Sequence, residues 1–293
     1  MKIVVASGKG GTGKSMISSS LSLLFSQEFS TVACDCDVDA PNLGLWLGVE
    51  RYEKKEVVSI NEKASILQAK CDNCGKCYEF CPIGAIGRKN GKYYVNPLVC
   101  EGCGVCQIVC PRNAVLLEKT PTGEIRETNT KWGFTLVSGQ VYPGETGSGK
   151  MVQQLRQRAE EHSYEVMILD SAAGIGCPVI ASITGCDFAV LVAEPTQTSI
   201  SDLHRVLHIV NHFNIPYGVV INKYDLDLNF SRSLEEEFRQ KILGKIPYDT
   251  HVIDSIVNLR PVVVSECKAT DALKKLYGSL KKILVIHQNG SIP

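Results

Sequence analysis

At 293 residues with 44% hydrophobic side chains, the chain has enough apolar material for one large domain or two modest ones. Lysine plus arginine balances aspartate plus glutamate at 31 each, so no overall field recruits nucleic acid or an anionic membrane. No run approaches the roughly 18 apolar residues of a membrane-spanning helix, Met1–Gly8 has no signal-peptide pattern, and a cytoplasmic protein is expected. Thirteen cysteines are too many, and oddly numbered, for a disulfide framework there, which points to metal ligation.

In chain order, a short apolar strand, Ile3–Ala6, runs into Gly8-Lys9-Gly10-Gly11-Thr12-Gly13-Lys14-Ser15, and a helix over Lys14–Phe25 follows. Strand, glycine-rich loop and helix are the context of a phosphate-binding loop. Its amides and the helix start, through Ser15 and Met16, can cradle phosphates, with Lys14 reaching the β and γ oxygens of ATP or ADP and Ser15 ligating Mg2+.

The second strand, Thr31–Cys34, ends in Cys34-Asp35-Cys36-Asp37-Val38-Asp39. Alternation along a strand puts the carboxylates on one side and the thiols on the other. Carboxylates at a strand's carboxyl end can hold Mg2+-bound water or orient an attacking water. Cys34 and Cys36 read as small buried hydrophobes, and Asp39 equally as a site residue or a solvated loop residue.

From Ser59 to Glu118 the alternation of strands and helices stops. Cys71-x-x-Cys74-x-x-Cys77-x-x-x-Cys81-Pro82 is followed by Cys100-x-x-Cys103-x-x-Cys106-x-x-x-Cys110-Pro111, two copies of the bacterial ferredoxin run. In two-cluster ferredoxins the fourth cysteine of each run crosses to the other cluster. That resemblance assigns Cys71, Cys74, Cys77 and Cys110 to one [4Fe-4S] cluster, and Cys100, Cys103, Cys106 and Cys81 to a second. Two structural zinc sites are the plainer alternative, but those pair C-x-x-C knuckles across a longer loop.

Gly123–Tyr142 has strand-like content. Gly144-Glu145-Thr146-Gly147-Ser148-Gly149-Lys150 imitates a second phosphate loop, but Met151 replaces the Mg2+-ligating hydroxyl, so it reads as a helix start. A helix over Met151–Glu161 precedes the strand Val166–Leu169, which ends in Asp170, an acid placed to support Mg2+.

A strand at Phe188–Ala193, a helix at Ser199–Phe213 and a strand at Gly218–Ile221 lead to Asn222-Lys223-Tyr224-Asp225. Beyond it come a helix at Leu234–Leu243 behind a capping box, Ser233 with Glu236, and then Ile246-Pro247-Tyr248-Asp249. The last helix, Asp271–Val285, has an apolar stripe that fits either its own sheet or a membrane surface. The whole predicts a doubly wound, mostly parallel α/β domain over 1–58 and 119–293, interrupted by a cysteine-rich ferredoxin-like domain over 59–118.

Lys9, beside the first glycines, makes the loop a deviant Walker A sequence. The chain here resembles the MinD/ParA/Mrp and nitrogenase iron protein superfamily. The resemblance implies a slow, partner-stimulated ATPase that closes on ATP as a homodimer, or as a heterodimer with a similar subunit, Lys9 crossing to the partner's nucleotide. It makes Asp37 the water-positioning aspartate, Asp35 a Mg2+ neighbour, and Asn222 and Pro247 the residues at the base. Cys177 lies at the spacing of a cluster ligand in the nitrogenase iron protein, without the second cysteine that a bridging cluster needs. A metal or labile cluster between two copies of Cys177 is the resulting expectation, set against a structural cysteine.

Three functions follow. One is an ATP-gated redox protein that delivers electrons through its clusters to a partner. The second is a Mrp-like factor that transfers an iron-sulfur cluster or metallocofactor to an acceptor protein. The third is a positioning ATPase of the MinD/ParA type with redox-sensing clusters.

Overall fold

The structure is a computed structural model and describes residues 1–288. The stretch 289–293, which the sequence assigns to the ATPase domain, lies outside the described residues. The elements in chain order are β1 (Lys2–Ser7), α1 (Lys14–Ser26), β2 (Thr31–Asp35), α2 (Leu43–Trp46), β3 (Lys54–Val58), β4 (Asn61–Ile66), α3 (Lys76–Glu79), β5 (Ile86–Lys89) and β6 (Lys92–Val95). There follow α4 (Val105–Ile108), β7 (Val115–Thr120), β8 (Gly123–Asn129), β9 (Thr135–Val141), α5 (Ser148–Glu160), β10 (Val166–Ala173), α6 (Cys177–Ile183), β11 (Phe188–Ala193) and α7 (Gln197–His212). The chain closes with β12 (Tyr217–Asn222), α8 (Leu228–Phe238), β13 (Ile242–Ile246), α9 (His251–Val257) and α10 (Lys268–Gln288).

Two compact units result among the described residues: Met1–Lys55 with Ile125–Gln140 and 148–288, and Glu56–Glu124 with Val141–Gly147. The chain's main sheet has nine strands in the order β13-β12-β11-β1-β10-β2-β9-β8-β3. From β13 to β9 all neighbours are parallel. Such strands are covered on both faces, which is why β1, β10 and β11 are nearly unbroken runs of Val, Ile, Leu and Ala. In register, Val5 lies beside Asp170 and Asp170 beside Asp35. The phosphate loop, Asp35 and Asp170 therefore lie toward the same edge of the sheet.

Ile17, Leu21 and Phe25 of α1 and Leu273, Leu276, Leu280 and Leu284 of α10 form one core with Ile3, Val5, Ile168, Val190 and Val220. Each such leucine contributes about 1.5–3 kcal/mol by leaving water. The apolar stripe of the last helix is thus spent on its own sheet. Among the described residues no helix is long and apolar enough to cross a membrane.

One expected helix is displaced. Leu234, Phe238 and Ile242 continue a four-residue spacing, which suggests helix as far as Leu243. Instead α8 ends at Phe238, Arg239 takes a positive φ of 36°, and Ile242 opens β13. The N-cap is Asp227, whose Oδ1 accepts from the amides of Asn229 and Phe230 at 2.9 and 3.1 Å. Ser233, read as the cap, lies inside the helix, and its hydroxyl donates to the Asn229 carbonyl at 3.1 Å.

The second unit pairs β4 with β7, Asn61 opposite Thr120 through Ile66 opposite Val115, and β5 with β6, Ile86 opposite Val95, both antiparallel. Its core gathers Ala64, Ile86, Tyr93 and Val115 with Cys77 and Cys106.

Candidate functional site

Gly8 and Gly13 show why the loop after β1 requires glycine. A Cβ on Gly8 would lie 2.1 Å from the Asp202 carbonyl; one on Gly13, which has φ of +94°, would lie 2.3 Å from Asn222 Nδ2. Gly10 and Gly11 form the exposed crest, and Thr12 is buried. Gly10, Gly11, Gly13, Lys14, Ser15 and Met16 line a cavity of about 290 Å3, completed by Asp37, Asn42, Trp46 and Ala173.

Lys14 is 7% exposed, and its Nζ donates to Ser7 Oγ at 3.0 Å. Burial lowers its pKa, against the opposing pull of Asp170 and Asp37. Asp170 is fully buried, and its Oδ1 accepts from Ser18 Oγ at 2.8 Å. Burial pushes its carboxyl up to about 6, while the Ser15 and Ser18 hydroxyls work against the shift. Its second oxygen, Oδ2, is buried with no hydrogen-bond partner, as are Thr12 Oγ1 and Asn42 Oδ1. Unpaired oxygens in a polar site ask for a ligand, and the Asp170 carboxylate with the adjoining Ser15 hydroxyl is a donor set suited to Mg2+.

The two acids after β2 separate. Asp37 is half-buried and reaches the cavity. Asp35, which the resemblance makes a Mg2+ neighbour, is fully buried and accepts the amides of Leu43 at 3.0 Å and Asp37 at 3.3 Å. Burial and then the adjoining Asp170 raise its carboxyl well above the ordinary range. Its oxygens are committed to shaping the loop that carries Asp37. Cys34 and Cys36 are fully buried on the opposite side, sulfur to sulfur at 3.6 Å.

Lys9 Nζ rests 3.8 Å from Glu194 Oε2, and Lys223 Nζ lies 2.5 Å from Glu194 Oε1. Glu194 directly follows the apolar run of β11, as Asp170 follows Val166–Leu169 within β10; an acid after an apolar run was the available signal, and sequence reasoning passed over it. Asn222, expected at the nucleotide base, makes one hydrogen bond from each end of its amide. Nδ2 donates to the Thr12 carbonyl at 2.8 Å, and Oδ1 accepts the Lys223 amide at 3.0 Å. The Pro247 segment adjoins it: Asn222 pairs with Ile246, and Tyr248 N–H donates to Asp225 Oδ1 at 2.6 Å.

In the second unit the two cysteine runs fold alike. Cys77 and Cys106 are buried in short helices entered through Gly75 and Gly104, while Cys74 and Cys103 are exposed. Ala85 N–H donates to Cys81 Sγ and Ala114 N–H to Cys110 Sγ, both at 3.2 Å. Asn73 and Ala64 amides donate to Cys71 and Cys100 Sγ, each at 3.4 Å.

The ends of the two runs are exchanged. Leu67 N–H, ahead of the first run, donates to Ala114 O beyond the second, and Asn96 N–H, ahead of the second, donates to Ala85 O beyond the first, both at 2.7 Å. Cys81, Cys100, Cys103 and Cys106 line one cavity. The Cys77 thiol is pushed up by burial and, further, by Cys71, Cys110 and Cys74 around it. Among the described residues no three His, Cys, Asp or Glu side chains converge tightly enough to hold a single ion.

Cys177 is the exposed first residue of α6, and Gly149 packs against it so closely that a Cβ there would lie 2.9 Å from the cysteine's own. Cys186 is buried and its thiol pushed up to about 12 by that burial.

Residues 3–262 match the family model described as the CobQ/CobB/MinD/ParA nucleotide binding domain. An uncharacterised protein of Methanocaldococcus jannaschii is 38% identical over 97% of this chain and 98% of its own length. An uncharacterised ATP-binding protein of the same organism is 29% identical over 97% and 98%. Among solved structures, the septum site-determining protein MinD complexed with Mg-ADP from Pyrococcus horikoshii aligns over 97% of both chains at a TM-score of 0.61 and 17% identity, a likeness of fold.

Proposed function

Because the chain belongs to the CobQ/CobB/MinD/ParA nucleotide-binding family, we propose that it is a Mg2+-dependent ATPase whose cysteine-rich insert carries two [4Fe-4S] clusters, with nucleotide state coupled to electron transfer through them. The observation that supports the cluster half is the exchange of ends between the two runs, which brings the flank of Cys110 to the start of the first and the flank of Cys81 to the start of the second. Cys71, Cys74, Cys77 and Cys110 would hold one cluster, and Cys100, Cys103, Cys106 and Cys81 the other. Bound there, the clusters supply one-electron chemistry. The domain assignment that goes with this reading is 59–118 for the ferredoxin-like insert, and 1–58 with 119–293 for the ATPase.

In the ATPase half, loop amides hold the phosphates and Lys14 neutralises charge on the β and γ oxygens. Ser15 and Asp170 would hold Mg2+, which supplies further charge neutralisation. Asp37 orients water toward the γ-phosphorus; the new P–O bond forms as the bond to the β–γ bridging oxygen breaks, and ADP carries away that oxygen. Asp35 holds the Asp37 loop instead of facing the metal, and Asn222 braces the phosphate loop beneath the nucleotide. Lys9 would serve the nucleotide of a second copy after leaving Glu194.

The redox-gated reading needs both units. Leu273, Leu276, Leu280 and Leu284 of α10 lie in the core, so a positioning role would rest on another surface. Anaerobically purified protein, reduced and followed by EPR with MgATP and with MgADP, tests the proposal. A nucleotide-dependent cluster potential or reoxidation rate is expected. Nucleotide-independent clusters that pass to an apo-acceptor would favour cofactor assembly instead.

A further inference from the structure

Strand β4 carries two polar side chains that grip the segment Tyr142–Gly147. Lys63 is 8% exposed, and its Nζ lies 2.6 Å from Glu145 Oε1, the two side chains 9% and 15% exposed. Asn61 Nδ2 donates to the Thr146 carbonyl and lies 3.2 Å from Thr146 Oγ1. Tyr142 N–H donates to Thr122 O at 2.9 Å. Gly147 has φ of +98°, and a Cβ there would meet the Asn61 amide at 3.0 Å, so the grip depends on glycine. The same strand serves the second cysteine set: Ala64 N–H donates to Cys100 Sγ, and the Glu62 carbonyl abuts Gly102.

The next residue, Ser148, opens α5 and donates its hydroxyl to Asp39 Oδ1 at 2.7 Å. Asp39 lies in the turn closed by Ala40 N–H on the Asp37 carbonyl at 3.2 Å. Each of these contacts lies within one compact unit; the two sets meet through the peptide bond between Gly147 and Ser148.

We infer that Tyr142–Gly147 is a coupling strap, held by Asn61 and Lys63 at one end and delivering Ser148 to the Asp37–Ala40 turn at the other. The inference rests on the nucleotide site proposed above. A nucleotide that repositions Asp37 pulls on Ser148 and the strap, and so on the strand lining the second cysteine set; by linkage, a change at those cysteines biases the Asp37 turn equally. Ser148 and Lys63 are positioning residues, remote from the reacting atoms.

Hydrogen exchange across Ile60–Lys63 in the full-length protein, with and without MgATP, tests this, nucleotide binding being measured separately by equilibrium dialysis. MgATP is expected to change the exchange rate there about fivefold. Ser148→Ala and, independently, Lys63→Met should bring that ratio close to one while retaining nucleotide binding, and Ser148→Thr should restore it. Wild-type protein that binds MgATP without a change at β4, or variants that keep the full change, would overturn the strap. Wild-type protein that binds no MgATP would overturn the nucleotide-site reading, and the strap with it.

Discussion

Lys9 rests against Glu194, Nζ to Oε2 at 3.8 Å, and the same carboxylate takes Lys223 at 2.5 Å. The lysine that the family resemblance sends to a partner's nucleotide is therefore parked on its own subunit. The Lys9 side chain is a third exposed and its 3.8 Å separation from Glu194 is at the long end of ion-pair range, where such pairs contribute about 0–1 kcal/mol, so Glu194 is a weak latch on Lys9. Glu194→Gln should lower the MgATP concentration for half-maximal dimerisation by about two- to fivefold, measured by light scattering. A shift to higher concentration would mean that Glu194 aims Lys9 instead of restraining it.

Asn222→Ala removes the donor to the buried Thr12 carbonyl. An acceptor left buried and unpaired costs about 1–3 kcal/mol. The expected outcome is a melting temperature lower by a few degrees and nucleotide affinity weaker by roughly tenfold, read by thermal unfolding and titration calorimetry. Unaltered affinity would remove the brace.

Asp249 sets an acid limit on stability. Burial pushes its carboxyl up, but the His251 side chain and amide, the Ala269 amide and Cys267 outweigh that and hold it at about 2. A carboxyl depressed in the folded state stabilises above its unfolded value, about 4, and that contribution is lost as pH falls from there through about 2. Asp249→Asn should therefore lower urea stability at pH 7, with the gap to wild type closing as the pH falls toward 2. A gap constant across that window would contradict the assignment.

Alkylation separates the cysteines outside the insert. Cys177 is exposed, whereas Cys34, Cys36 and Cys186 are buried and the Cys186 thiol is pushed up to about 12. Iodoacetamide at pH 8 should mark Cys177 first in the native holoprotein, by mass spectrometry. A protected Cys177 that becomes reactive on chelation would instead support a metal between two copies.

Much of this was legible in the sequence because short-range chemistry dictated it. The phosphate loop needs glycines at fixed spacing, buried parallel strands need unbroken apolar runs, and each cysteine run is a local wrap. What failed to show was non-local. Asp35 and Asp37 share one side of a strand end, and only the fold reveals that Leu43 returns to consume the first of them. That Asn222 also reaches the Thr12 carbonyl is visible only in the fold, because Thr12 is far off in the chain. Ile242 kept helical spacing with Phe238 while pairing as a strand with Val219. The strap at Tyr142–Gly147 resembled a failed phosphate loop, and nothing local pointed to Asn61 and Lys63 as its partners.

The central claim, an ATPase bearing two crossed clusters, is tested most directly by counting iron and acid-labile sulfide per chain after anaerobic purification, in wild type and in Cys110→Ser. The account predicts about eight of each in the wild type and about half that in the variant, with the second set, Cys100, Cys103, Cys106 and Cys81, still loaded. Stoichiometric zinc without sulfide, or a Cys110→Ser protein that loses the second set and keeps the first, would contradict it.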